Sequence, residues 1–393
     1  MSAKTPKVEV SPAVLRWSRE SAGIELPDVA KRLNVKQGTV ERWESGAAKL
    51  TLRRLQELAS FYKRPLAALF LPRPPTEPPL PHDYRVLPGT PGGAMSKQTR
   101  LAIREARRIQ AVATELSTEL GYEAAASSRA LDVSSDVEGV AAEERARLGV
   151  TIDQQSGWRR SSMALKGWRQ ALEGIGIVVL QLPMPMEDAR GFSLLDGGLP
   201  VIVIDSRDAA NGRIFSLFHE YGHLLLGCSG ICTPHEAGIA ASRAQPVEHF
   251  CNSVAGAILV PRDALLAEVS ALSPPGGAQL SADDVVALSH RFHVSSYVIL
   301  YRLRAAHVIG QSRFAAEIDQ LQSRAARAPR RRSGGPRAER RCLQRRGARF
   351  ASLVLEAKSR GIITYADVAD CLSLRVDRLA ALEKLLGRSG TGG

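Results

Sequence analysis

Two histidines separated by three residues, His219 and His223, enclose a glutamate in the run Phe218-His-Glu-Tyr-Gly-His-Leu-Leu-Leu226. Four residues make nearly one helical turn, so on a helix both imidazoles leave the same face and can chelate one ion, at about 2.0–2.1 Å each for zinc. Glu220 follows His219 by one position, about 100° around the helix, which puts its carboxylate beside the ion rather than on it. That is where a general base must sit to take a proton from a metal-activated water during peptide hydrolysis. By average residue frequencies such a pattern arises by chance in roughly one chain of this length in a hundred.

Hydrolysis also needs a third protein ligand and one open coordination position. Glu248, His249, His235 and Glu236 are the downstream candidates. Glu248 is preferred because it begins a helix whose apolar face, Phe250, Cys251, Val254, Ala255, Ile258 and Leu259, can pack against the first helix. His249 points elsewhere on that helix. Asn252, one turn after Glu248, can hydrogen-bond to a ligand from outside the coordination sphere. Tyr84, His82 and His249 are candidates to steady an oxyanion, each more readily read as linker or surface. Cys228 and Cys232, four apart, read as small residues in the turn after the helix rather than as a second metal or redox pair.

These side chains need a frame. Ile175 to Leu182, Gly191 to Leu195 and Pro200 to Asp205 are β-branched-rich runs bounded by Gly and Pro, three strands of a small sheet. The motif helix then covers about Asn211 to Leu226, with Gly227 as its C-terminal cap. The second helix runs from about Pro246 to Leu259 and stops at Pro261. Further helices are expected at about 97 to 120, 135 to 149, 161 to 174, 281 to 292 and 295 to 306.

On these residues the sequence resembles the ImmA/IrrE family of zinc metallopeptidases, over Lys97 to about Leu303. Phe215 to Gly227 is similar to the family's core helix, and Val247-Glu-His-Phe-Cys-Asn-Ser-Val-Ala255 with Leu259-Val-Pro261 is similar to the segment that supplies its third ligand. Arg190-Gly-Phe-Ser193 and Pro200 to Asp208 look like the preceding strands. The resemblance implies a gluzincin-like α+β fold, one zinc ion per chain on His219, His223 and Glu248, Glu220 as the catalytic residue, and site-specific cleavage of a protein partner, typically a repressor or antitoxin-like protein, under stress. Asp205 stands where Asn is more usual in the family, a departure that concerns support of the site and not the reaction.

Residues 13 to 70 carry apolar residues at three- and four-residue spacing, punctuated by Gly23, Pro27, Asn34 and Gly46, and read as a module of four or five short helices. A helix-turn-helix needs a small residue where its helices cross, a turn residue tolerant of the left-handed conformation, and buried apolar residues in the second helix. Ala30, Asn34, Val35 and Val40 meet those demands in order. With Trp43-Glu-Ser-Gly46 after the recognition helix, the segment resembles the XRE or lambda-repressor-like family. The resemblance implies DNA as a partner. Lys36, Gln37, Thr39 and Arg42 would face the major groove, and Lys49, Arg53 and Arg54 the phosphates.

Charge agrees with a local rather than a global nucleic-acid surface. The net charge is +13, of which residues 1 to 70 carry +6 and residues 313 to 350 carry +9, leaving the rest slightly acidic. The second basic segment has 12 Arg and little apolar content and reads as a disordered linker. Ordinary hydrophobic (44%) and charged (24%) fractions exclude a fibrous or wholly disordered chain, and no apolar run spans a bilayer, so no membrane partner is expected. Five scattered cysteines without a Cys-x-x-Cys pair argue against a disulfide framework.

The fold expected is multidomain: an all-α helix-turn-helix domain (1–70), a Pro-rich linker (71–96), an α+β gluzincin-like metallopeptidase domain (97–312), an Arg-rich linker (313–350) and a small helical C-terminal segment (351–393). The function expected is that of a cytoplasmic, nucleoid-associated regulatory zinc protease, for which a second copy of the chain is a candidate partner. The competing reading is a transcription factor whose peptidase-like domain senses or binds without turnover.

Overall fold

Short amphipathic helices need one another to bury their apolar stripes, and the N-terminal residues do this around a shared core. The computed structural model describes residues 7–76, 82–83, 95–122, 131–232, 246–272, 280–325 and 337–390. The chain divides into two compact units. The first contains α1 (Pro12–Glu20), α2 (Leu26–Leu33), α3 (Gln37–Glu44) and α4 (Leu52–Tyr62), with a short antiparallel ribbon pairing β1 (Lys7–Val8) with β2 (Leu50–Thr51). Val14, Leu15, Val29, Leu33, Val40, Trp43, Leu55 and Leu58 form its core. Asn34 ends α2 in the left-handed conformation (φ 51°), the geometry an Asn tolerates at little cost. Arg19 forks onto Glu44 through two bonds of 2.8 and 2.9 Å, tying α1 to the end of α3.

This unit extends past the expected boundary. It takes in residues 93–107, the first half of α5 (Lys97–Glu119). Leu101 packs on the core, Lys97 pairs with Asp28 at 2.7 Å, and Arg104 donates to the Tyr62 carbonyl at 2.6 Å. Periodicity alone does not reveal where along α5 this unit ends.

The second unit is built on a five-stranded mixed sheet: β3 (His82–Asp83), β4 (Val178–Leu182), β5 (Gly191–Leu194), β6 (Val201–Asp205) and β7 (Gly230–Cys232), in the order β3-β7-β5-β6-β4. β4 and β6 pair in parallel from Val178↔Val201 to Leu182↔Asp205, and β5 runs antiparallel to both β6 and β7. β4 and β6 are buried on both faces, hence their nearly unbroken Val, Ile and Leu. Three of these strands coincide with the expected runs. The other two are too short to have a period, and β3 lies in the Pro-rich stretch expected to be linker. A two-residue strand at a sheet edge asks for few ladder donors, so a proline-rich sequence can supply one.

Helices cover the sheet. α6 (Val137–Leu148), α7 (Ile152–Gly157) and α8 (Ser161–Gly174) precede β4, and α9 (Ala210–Leu225) follows β6. α10 (Pro246–Leu259) lies along α9, followed by α11 (Arg262–Leu272), α12 (Ala282–Phe292), α13 (Ser296–Ala305) and α14 (Gln311–Ala325). Trp168 of α8 meets Phe218 of α9 edge to face, ring centroids 4.8 Å apart, at the centre of this core.

The basic segment expected to be disordered is helical where it is described. α15 (Ala338–Arg346) buries Glu339, Cys342 and Arg346 and packs on β4. Arg346 donates to Ser373 Oγ at 2.7 Å. Low apolar content misleads here because a nine-residue helix docked on a sheet edge needs only a few inward positions. Residues 326–336 of that segment lie outside the described residues. The C-terminal segment is three helices: α16 (Ala348–Ser359), α17 (Tyr365–Leu372) and α18 (Leu379–Gly390). Thr364 and Asp367 form a capping box that starts α17, and Ser373 ends it at φ 48°. These caps break a continuous apolar stripe. Among the described residues no helix is long and apolar enough to cross a membrane.

Candidate metal centre

α9 enters the core at Ile214 and is buried from there to Leu225. Its end is locked by Gly227 (φ 70°), whose N–H donates to the Leu224 carbonyl at 3.0 Å while Cys228 N–H donates to the His223 carbonyl at 3.0 Å. This paired closure is the one a left-handed glycine permits after a helix.

Inside it, His219 Nε2 and His223 Nε2 are 3.3 Å apart, and the Glu248 carboxylate reaches both, at 3.4 Å to His219 and 3.2 Å to His223. The three donor atoms lie within 4.8 Å of one another. His219 Nδ1 sits 2.8 Å from Asn252 Oδ1, an acceptor, so that nitrogen carries the proton and Nε2 presents a lone pair toward the cluster. Desolvation favours neutral His223 despite the opposing pull of Glu248. Burial works to raise the Glu248 carboxyl, but the two imidazoles that face it, which attract its charged form, outweigh that and hold it well below the usual carboxylate range. Converging lone pairs and a carboxylate, buried together, suit a divalent cation, and two imidazoles with one carboxylate are a set that zinc accepts with a position to spare.

Glu220 lies beside this group, wholly buried. Its carboxyl is pushed well above the usual range, first by burial and then by the negative charge of Glu248; the Ser193 hydroxyl on β5 acts in the opposite direction, although no bond of good geometry joins them. A carboxyl raised in this way holds a proton more readily than a free one, which suits a group that must accept one and return it.

Close approaches that no single element encodes set these distances. A Cβ at Gly191 on β5 would stand 2.9 Å from Glu220 Oε1, so only glycine leaves the carboxylate its room. A Cβ at Gly222 would meet Cys251 Cα at 2.9 Å, so this glycine lets α10 lie close enough for Glu248 to reach the histidines. Gly222→Ala is therefore expected to destabilise the unit by about 1–3 kcal/mol and to weaken metal affinity together with stability. Thermal melts with and without zinc check this: an unchanged melt and unchanged affinity would remove Gly222 from the account. Spacing marks out neither glycine, although a glycine at a strand start is a signal of close backbone approach.

The structure separates the other residues that the sequence offers. His249 is exposed and is not among the converging donors, while His235, Glu236 and Tyr84 lie outside the described residues, as does the side chain of His82. Asp205 does not support the histidines. It ends β6, where its Oδ1 accepts from Met184 N–H at 3.0 Å and Arg207 N–H at 3.2 Å, shaping the turn into α9. Cys228, by sequence a plain turn residue, has its Sγ 3.7 Å from His223 Nδ1 and donates to the His223 carbonyl.

In the N-terminal unit, Lys36, which caps α3, and Gln37 and Arg42 within it are exposed, with Thr39 half-buried. Gln37 donates to Glu41 at 2.9 Å, a bond that base contact would exchange. Lys49 and Arg53 are exposed, near Glu9 and Glu57. Arg54 serves the fold, donating to the Leu33 carbonyl at 2.9 Å and pairing with Glu57 at 2.8 Å.

A model of the M78 peptidases, described as the IrrE N-terminal-like domain, matches residues 172–304, which hold the whole cluster. A helix-turn-helix model matches residues 15–69. No curated protein matches the chain. Residues 15–69 thus match an XRE-type helix-turn-helix and residues 172–304 an IrrE/ImmA-like domain of the M78 peptidases, joined in one chain.

Proposed function

We propose that this protein is a DNA-binding regulatory zinc metallopeptidase that cleaves a peptide bond in a repressor or antitoxin-like partner. The observation that carries the reading is Glu220, a wholly buried carboxyl with a raised pKa standing beside, and not within, a convergent His219, His223 and Glu248 set. A non-catalytic metal site has no use for such a group.

His219, His223 and Glu248 would hold one zinc ion, which when bound acidifies a water and polarises the scissile carbonyl. Asn252 keeps His219 in the tautomer that offers Nε2. Glu220 accepts the proton of the attacking water and returns it to the leaving amine; its buried setting keeps the proton from bulk solvent between those events. The reading is tested by co-expressing the full chain with repressors encoded beside it and following their masses. Shortening with the wild type and not with Glu220→Gln supports it.

DNA binding falls to α3. With a duplex selected from a random library by the full chain, Arg42→Ala is expected to cost about 1–3 kcal/mol of affinity, whereas Arg53→Ala weakens all sequences alike and lowers the salt slope by about one. Binding indifferent to salt and to Arg42→Ala would count against α3 as the reading helix.

A further inference from the structure

On the far edge of the peptidase sheet from β3, helices α8, α15 and α18 and strand β4 enclose a cavity of about 440 Å³, in the range of small-molecule sites. Its lining carries Lys166, Arg169, Arg213 and Arg340 against a single carboxylate, Glu173. Leu165, Leu343 and Leu386 supply an apolar wall.

Of the two inner arginines, Arg169 is largely satisfied, with four bonds from its Nη groups, and Arg213, with one bond from its side chain, is not. Arg169 is 8% exposed; its Nη groups donate to the carbonyls of Val179 (2.7 Å) and Gln344 (3.1 Å), it lies 3.5 Å from Glu173, and its Nε finds no acceptor among the described residues. Arg213 bonds through its side chain to Gln181 Oε1 at 2.5 Å, a neutral partner, and its Nε is likewise without an acceptor among the described residues. Asp208 lies near Arg190 and Asp205 pairs with Arg207, though both carboxylates also act on Arg213 from nearby, and Glu173 accepts from Ala348 N–H. Burial opposes the charge of both arginines; at Arg213 the carboxylate of Asp208 offsets part of this and the charge of Arg169 adds to it. The Nε atoms themselves are closed off, but a guanidinium whose charge burial opposes gains from a counter-ion, and an anion in the cavity beside Arg213 supplies one.

We propose that this cavity binds a small amphiphilic anion, with a phosphate or carboxylate head between Arg169 and Arg213 and a short aliphatic tail against the leucines. Lys166 and Arg340, both exposed, stand at the rim and draw the head inward. Arg213 belongs to the helix that carries His219, Glu220 and His223, and α15 and α18 belong to the C-terminal segment, so the site joins two parts of the chain for which the peptidase chemistry supplies no common purpose.

Calorimetric titration of the full-length protein with hexyl phosphate, hexanoate and inorganic phosphate tests this. Saturable binding is expected for one of the two tailed anions, tighter than for inorganic phosphate, and the preferred head distinguishes a phosphate from a carboxylate ligand. Arg213→Gln should weaken it at least about tenfold, the loss of one charge-assisted bond. The double variant K166E/R340E alters only exposed side chains and should weaken it comparably, which keeps the test decisive should Arg213→Gln fold poorly. No saturable binding of any probe at millimolar concentration, no advantage for a tail, or binding unchanged in K166E/R340E would overturn the proposal.

Discussion

Glu220→Gln is expected to leave zinc binding nearly unchanged and to lower the rate of partner cleavage by about 10²–10⁴-fold, the range for loss of a positioned general base. The substitution keeps shape and volume, which matters because the side chain is fully buried and Gly191 leaves it only the space it has. An amide cannot accept the proton of the attacking water. It also removes a carboxyl whose charged form is disfavoured by burial and by Glu248, so the fold should be no less stable. The variant is checked by metal analysis, thermal melting and the mass of a co-expressed repressor. Cleavage at the wild-type rate would remove Glu220 from the mechanism, whatever the metal content.

His223→Ala should have the largest effect on metal binding. His223 is buried, its Nε2 faces both His219 and Glu248, and alanine leaves only two donors and a void. Loss of an outer hydrogen-bond partner of a metal ligand costs about 10–100-fold in affinity. Asn252→Ala, which frees His219 Nδ1, should fall in that range, and His223→Ala should exceed it, retaining little zinc after dialysis against a weak chelator. Competition with a chromophoric chelator ranks the two variants. The reverse order would mean that His223 is a structural core histidine and not a ligand.

Local periodicity makes much of this site legible. His219 and His223 declare themselves by a four-residue spacing, and Glu248 by opening a helix whose apolar face matches its neighbour, because both patterns depend on a helix of known pitch. Asn34 and Gly227 are readable for the same reason: a left-handed position has few occupants. Properties set between elements are not readable. Gly191 and Gly222 matter through contacts with Glu220 and Cys251 that exist only after the sheet and helices have docked. The partners of Asp205, Met184 and Arg207, are not readable either, being fixed by where β6 ends and not by distance along the chain. β3 and β7, of two and three residues, carry no period at all, and α15 hides three inward side chains among arginines.

The two matched families leave the role of each part of the chain to the residues themselves. In the N-terminal unit Lys36, Gln37 and Arg42 are exposed at α3, while Arg54 holds the fold. In the second unit three donors converge where a metal is wanted, and Glu220 stands beside them. His219, His223 and Glu248 are proposed to hold one zinc ion. Elemental analysis of the full-length protein, purified without added metal or chelator, tests it most directly. About one zinc per chain is expected; a content near zero that zinc supplementation does not raise would contradict it.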